Sequence, residues 1–165
     1  MNRDALLFFM LLFYTFPIIL VCKNYKRNNS ISNIICDEKC KIYILFFMFL
    51  MGISTVLYEL KRNDIQSTIF IFTIVICIAF LIIFDESYTI HFFFAGTVFL
   101  SIILFMIHHV LLTSNKILLL SLILAIILLF VIMFNINVDI FYTEVIYILN
   151  FAFYYLYLHF ITHHN

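Results

Sequence analysis

The chain holds one proline and two glycines in 165 residues, has no tryptophan, and only 11% of it is charged. So little charge excludes an ordinary soluble domain, where about 25% of residues are charged. So few breakers leave long uninterrupted elements, because Pro and Gly are what normally punctuate a chain. Nine basic and nine acidic residues give a formal net charge of +0, which offers no electrostatic footprint for nucleic acid.

What is present is apolar. Hydrophobic residues make up 66% of the chain, against about 45–50% in soluble proteins, and the mean hydropathy is +1.18. Only a bilayer accepts that much apolar surface. Backbone groups in lipid must be satisfied internally, so the runs are helices or barrel strands. Their length of about 18–22 residues without strict alternation selects helices. The expected fold is all-α, a polytopic six-helix bundle in one integral membrane domain. The preference for Ile, Phe, Tyr, Asn and Lys points to an AT-rich coding bias, so the 22 Phe carry little weight as a pattern.

The spans read as Ala5–Cys22, Ile42–Leu60, Ser67–Phe84, Ile90–Leu112, Ile117–Phe134 and Ile140–Ile161. The first is too long for the apolar core of a signal peptide and lacks a small-residue cleavage site, so it reads as a retained helix. Pro17 inside it predicts a kink. The loop Lys23–Lys41 is the longest polar segment and holds five of the nine Lys and Arg. Asn28-Asn29-Ser30 matches a glycosylation acceptor. Cys36 and Cys40 in the same loop read as two free thiols, or as a disulfide if the loop is luminal. Gly52, with Ser54, Thr55 and Tyr58 after it, predicts close helix packing in the second span. The loops holding Asp85-Glu86 and Asp139 carry no Lys or Arg. The positive-inside count nearly balances, with Arg3, Lys61, Arg62 and Lys116 on one side and the five of the first loop on the other. The two loops without Lys or Arg are therefore what places their side outside, with both termini cytoplasmic, in an endomembrane or the plasma membrane.

Alternation of six spans sorts the polar residues into two layers. One holds Asp85, Glu86, His91, Asp139 and Glu144. The other holds Glu59, Lys61, Arg62, Asp64, His108, His109, His159, His163 and His164. His91 and His109 lie roughly 27 Å apart along their helix, too far to share a ligand. In the first layer His91 beside Glu144 or Asp85 predicts a polar pair facing a cavity, since ionisable groups in a membrane seek partners or water. Glu144, Tyr147, Asn150, Tyr154 and Tyr157 recur at spacings of three and four and form one stripe on the sixth span. The bland reading makes the acids helix caps and Asn150 interhelical glue. In the second layer His159 and His163 stand one turn apart. With His108 or His109 they would supply zinc ligands, and otherwise they are solvated terminal histidines.

The fourth and sixth spans resemble the damage-regulated autophagy modulator family and related six-span proteins that handle GPI-anchored lipids. His91-Phe-Phe-Phe-Ala95-Gly96 is similar to the family's His and small pair opening the fourth span. Glu144 followed by the aromatic run Asn150–Tyr157 is similar to its sixth. Val145 stands where the family has Trp, the first loop is short and basic, and the chain ends His163-His164-Asn165. The resemblance implies lipid handling or autophagy-related membrane regulation, with no catalytic mechanism to carry over.

The first reading is therefore a membrane protein, non-enzymatic or of unknown activity, with a lipid-facing cavity between the fourth and sixth spans. His91 and Glu144 form its mouth, Tyr147 and Asn150 line it, and Ala95 and Gly96 allow close helix approach. Membrane lipids are its partners, alongside membrane proteins or further copies of itself, and no cofactor is needed. The rival is an intramembrane zinc hydrolase, similar in idea to the ceramidase and progestin-receptor-like superfamily. It would use His108, His109, His159 and His163 as ligands, and Glu59 or Asp64 as acid or base. A small transporter or channel is the third class.

Overall fold

The computed structural model describes residues 2–25, 30–36, 38–84, 87–134 and 139–163, with side chains except at 32, 33, 36, 38–40 and 163. Asp85, Glu86, the Asn28 acceptor and His164 lie outside the described residues, and so do the side chains of Cys36, Cys40 and His163.

Seven helices occur among the described residues: α1 Arg3–Lys23, α2 Ile31–Cys36, α3 Glu38–Arg62, α4 Ile65–Ile83, α5 Thr89–Thr113, α6 Lys116–Met133 and α7 Ile140–His163. All but α2 are long and apolar enough to cross a membrane. The chain is an integral, multi-pass membrane protein. Its outer surface is lipid-like, as shown by Leu119, Leu120, Ile123, Leu124 and Ile127 facing outwards along α6. That helix buries little more than Leu118, Ser121, Leu122 and Ala125.

Close backbone approaches follow the chain as hairpins, α1 with α3, α4 with α5 and α6 with α7, and α3–α4 and α5–α6 join them. Two of the joints use one device. Asn63 ends α3 at φ 61 and Ser114 ends α5 at φ 49, both in the left-handed region that stops a helix. The next residue then caps the following helix. Asp64 accepts from Ser67 N–H at 3.1 Å, and Asn115 accepts from Ile117 N–H at 2.9 Å. These joints are shorter than the spans predict, because the helices run past the apolar stretch that marks them. Pro17 does not interrupt α1, which continues to Lys23.

Glycine behaves differently at its two positions. A Cβ at Gly52 would meet Val75 Cγ1 at 3.0 Å, so α3 and α4 approach closely there. At Gly96 a Cβ would meet nothing within 4 Å. The close approach expected at Gly96 is absent, because that face of α5 turns outwards.

The first loop is also more structured than its polarity suggests. Ile31, Ile34 and Ile35 share one helical face on α2, and Ile34 packs with Val21, Ile44 and Phe141. The segment folds in against the bundle's end instead of leaving it.

Candidate functional site

A cavity of about 280 Å³ opens between α1, α2, α3, α4, α5 and α7. Its existence follows from how α7 is held. Tyr147 donates to the Phe99 carbonyl at 3.2 Å, and Tyr154 donates to the Met106 carbonyl at 2.7 Å. Donors seven residues apart on α7 thus meet acceptors seven apart on α5, the same contact repeated two turns along. Tyr14 reaches α7 from α1, donating to the Ile148 carbonyl at 2.9 Å. Long aromatic arms therefore span the gap, and the space between them remains open.

The walls are apolar: Met10, Met48, Met51, Ile74, Val98 and Ala152 are representative. One carboxylate and one tyrosine mark its ends. Glu144 lines one end, where its Oε2 accepts from the Ile31 N–H of α2 at 2.7 Å. Tyr155 lines the other and donates to the carboxylate of Glu59.

The expected mouth is only partly assembled. His91 is 2% exposed and its Nδ1 donates to the Phe84 carbonyl at 2.7 Å. That carbonyl ends α4 and needs a donor, so the imidazole serves as a cap and does not join Glu144. Neither His91 nor Asn150 lines the cavity, whereas Glu144, Tyr147 and Ala95 do. Asn150 faces α6 instead. Its Oδ1 accepts from Ser121 Oγ at 2.8 Å, and its Nδ2 donates to the Ser121 carbonyl at 2.9 Å. It is glue between α6 and α7, because the amide satisfies both its groups there.

Beside Glu144, Asp139 holds the start of α7 by accepting from Phe141 N–H at 3.1 Å. Its other oxygen accepts from the Tyr25 hydroxyl at 2.5 Å. That carboxylate bond, with burial behind it, pushes the Tyr25 hydroxyl up to about 12.

The N-terminal end of the bundle carries a denser network. Glu59 is fully buried, accepting from Tyr155 and Ser67 and pairing with Arg62 at 3.3 Å. A lone buried carboxylate would cost several kcal/mol, so three partners are the condition for its presence. The Arg62 guanidinium lies against His109, with Nη2 at 3.1 Å from Nδ1 and 3.2 Å from Nε2. Next to it His108 Nε2 meets Asp64 Oδ2 at 2.9 Å. Burial would raise Asp64, but the bonds from Ser67 N–H and His108 outweigh it and hold the carboxyl below its ordinary value.

A second chain of contacts binds α1, α3 and α7. His159 Nδ1 meets the Tyr58 hydroxyl at 2.7 Å, and its Nε2 faces Asp4 Oδ1 at 3.3 Å. Arg3 lies over the Tyr58 ring at 5.3 Å and donates to its hydroxyl at 3.3 Å. Both ring nitrogens of His159 are thus engaged by protein groups, which removes it from the expected zinc set. Among the described residues, the group whose ligand atoms converge is Asp64, His108 and His109, all within 4.8 Å of one another.

Tyr155, Ser67, Arg3 and Asp4 are absent from the residues the sequence singles out. Tyr155 sits one position off the stripe of spacings three and four. Ser67 is signalled only by standing three residues after Asp64, the spacing of a helix cap.

Fold and site together define a six-span helical membrane protein with an apolar cavity that Glu144 lines at one end and Tyr155 at the other. No family model matches the chain, and neither a curated protein nor a solved structure is similar to it.

Proposed function

We propose that the protein handles lipid by holding a single alkyl chain within the bilayer-spanning bundle. The observation that carries this is the cavity of about 280 Å³, walled by Met, Ile, Val and Phe. Ligand sites of roughly 300–1,000 Å³ are usually apolar with a few placed polar groups, which is the pattern here. The resemblance of His91–Gly96 and Glu144–Tyr157 to the autophagy-modulator family points the same way. The membrane is an endomembrane or the plasma membrane, with both termini cytoplasmic and membrane lipids as partners. Further copies of the chain, or other membrane proteins, assemble with it through the apolar outer faces.

Native mass spectrometry of the detergent-purified protein tests the reading. Wild type should retain one alkyl-chain lipid per chain, and Ala152→Phe, which fills the cavity, should retain none while staying monodisperse. Equal lipid retention in both would refute it.

A zinc-dependent lipid hydrolase is the second reading, favoured by the convergence of Asp64, His108 and His109. Zinc there would lower the pKa of a bound water and so supply a nucleophile. It stands second because the Arg62 guanidinium against His109 opposes a dication. Metal content of the untagged protein decides it. Zinc near one per chain, lost in His108→Ala/His109→Ala, would place it first.

A further inference from the structure

We infer that the cavity measures its ligand: a single-chain lipid enters tail first from the surface at the Glu144 end, and Tyr155 sets the length of chain accommodated. The inference rests on the alkyl-chain reading above and adds the length and direction of the chain.

The cavity ends in a complete layer of packed side chains. Its last lining residues towards the bundle's N-terminal end are Met10, Thr55, Ile71, Ile102 and Tyr155, one on each of α1, α3, α4, α5 and α7. One turn beyond each stands a residue no more than 1% exposed: Leu6, Tyr58, Ser67, Phe105 and Leu158. Five helices thus close the space at one level. At the opposite end the lining reaches Cys22, which is exposed, so the cavity opens towards that surface.

Floor and walls differ in stiffness. The Tyr155 ring stacks on Phe105 at 5.6 Å, lies 5.5 Å from the Tyr58 ring and is tethered through its hydroxyl to Glu59. The walls carry Met10, Met48 and Met51, unbranched side chains that yield to an irregular ligand. Width therefore adapts and depth does not.

The depth follows from helix geometry. Ile71 to Ile82 on α4 and Glu144 to Tyr155 on α7 each cover about 16 Å, slightly over half of a hydrocarbon core about 30 Å thick. An extended alkyl chain advances about 1.3 Å per carbon, the projection of a C–C bond of about 1.5 Å, so about twelve carbons fill that depth. A polar head that followed the chain inwards would lose its water against apolar walls, so it stays at the surface.

Saturation binding of radiolabelled octyl-, decyl-, dodecyl- and hexadecylphosphocholine to protein in phosphatidylcholine nanodiscs tests this, with empty discs subtracted and affinities expressed per mole fraction in the disc. Affinity should rise roughly tenfold from octyl to dodecyl, the return on four more methylenes in wall contact, and then stop, hexadecyl binding no tighter than dodecyl. Thr55→Phe adds a ring above the floor, leaves Tyr155 on Glu59 and should end the rise earlier, with decyl equal to dodecyl. Dodecylphosphocholine bearing a diazirine at its chain terminus should label Met10 and Met51. A rise that continues through hexadecyl in wild type, or a break that Thr55→Phe leaves in place, would overturn the measuring floor with the alkyl-chain reading intact. Terminal label on Cys22 or Val145 instead would overturn tail-first entry. Saturable binding at none of the four lengths would defeat the alkyl-chain reading itself.

Discussion

The carboxylate of Glu59 on α3 accepts the Tyr155 hydroxyl of α7, so the floor of the cavity is fastened to the buried network at the bundle's N-terminal end. Ser67 binds the second oxygen of the same carboxylate and brings α4 into the joint. One acid thus fastens three helices.

Removing that acid's partners should therefore cost more than removing an ordinary hydrogen bond. Arg62→Ala leaves a buried carboxylate without its cation and should cost about 3–5 kcal/mol. Tyr155→Phe should cost about 1–3 kcal/mol, the penalty of an unsatisfied buried acceptor. Thermal unfolding in detergent measures both. A midpoint unchanged in Arg62→Ala would mean Glu59 is not held as a charge.

The two tyrosine bonds to α5 should behave independently. Tyr147→Phe and Tyr154→Phe each remove a hydroxyl donor, worth about 0.5–1.5 kcal/mol. They sit about 10 Å apart along α7, far enough for the effects to add in the double variant. A double variant no worse than either single one would show that the repeated contact acts as one unit.

The two glycines separate packing from composition. Gly52→Ala places a methyl 3.0 Å from Val75 Cγ1 and should destabilise, with Val75→Ala restoring part of the loss. Gly96→Ala meets open space and should be neutral or slightly stabilising, since Ala is the better helix former. Thermal midpoints of the three variants check this.

Acid stability should report on Asp64. Its carboxyl is held below the ordinary value of 3.8, so it stabilises the folded state above that pH. That contribution is lost as pH falls from about 3.8 through the lowered folded value, because the proton binds the unfolded chain first. Asp64→Asn should flatten this part of the stability profile and leave pH 6–8 little changed. An acid limb of unchanged steepness in the variant would contradict the assignment.

The spans are legible because apolar length dominates every other signal in lipid. Tyr147 is legible for a related reason, since a polar group on an apolar helix must turn inwards. Asn150 and Tyr155 are less so. Rotation of α7 decides whether position 150 faces α6 or the cavity, and packing against neighbours sets that rotation by a few tens of degrees. The His91–Glu144 pairing fails on local chemistry. Membrane depth puts both residues in one layer, yet the last carbonyl of α4 is seven residues away from His91 and needs a donor. The helix α2 carries a signal in Ile31, Ile34 and Ile35, masked by the polar residues around it.

The most direct test is photolabelling with a diazirine-bearing dodecylamine in nanodiscs, with labelled residues mapped by mass spectrometry. The account predicts saturable label on Met48, Met51 and Ile148 within the cavity, competed away by excess dodecylamine. Label confined to outward-facing residues such as Phe8, Leu119 and Leu120, and insensitive to competitor, would contradict it.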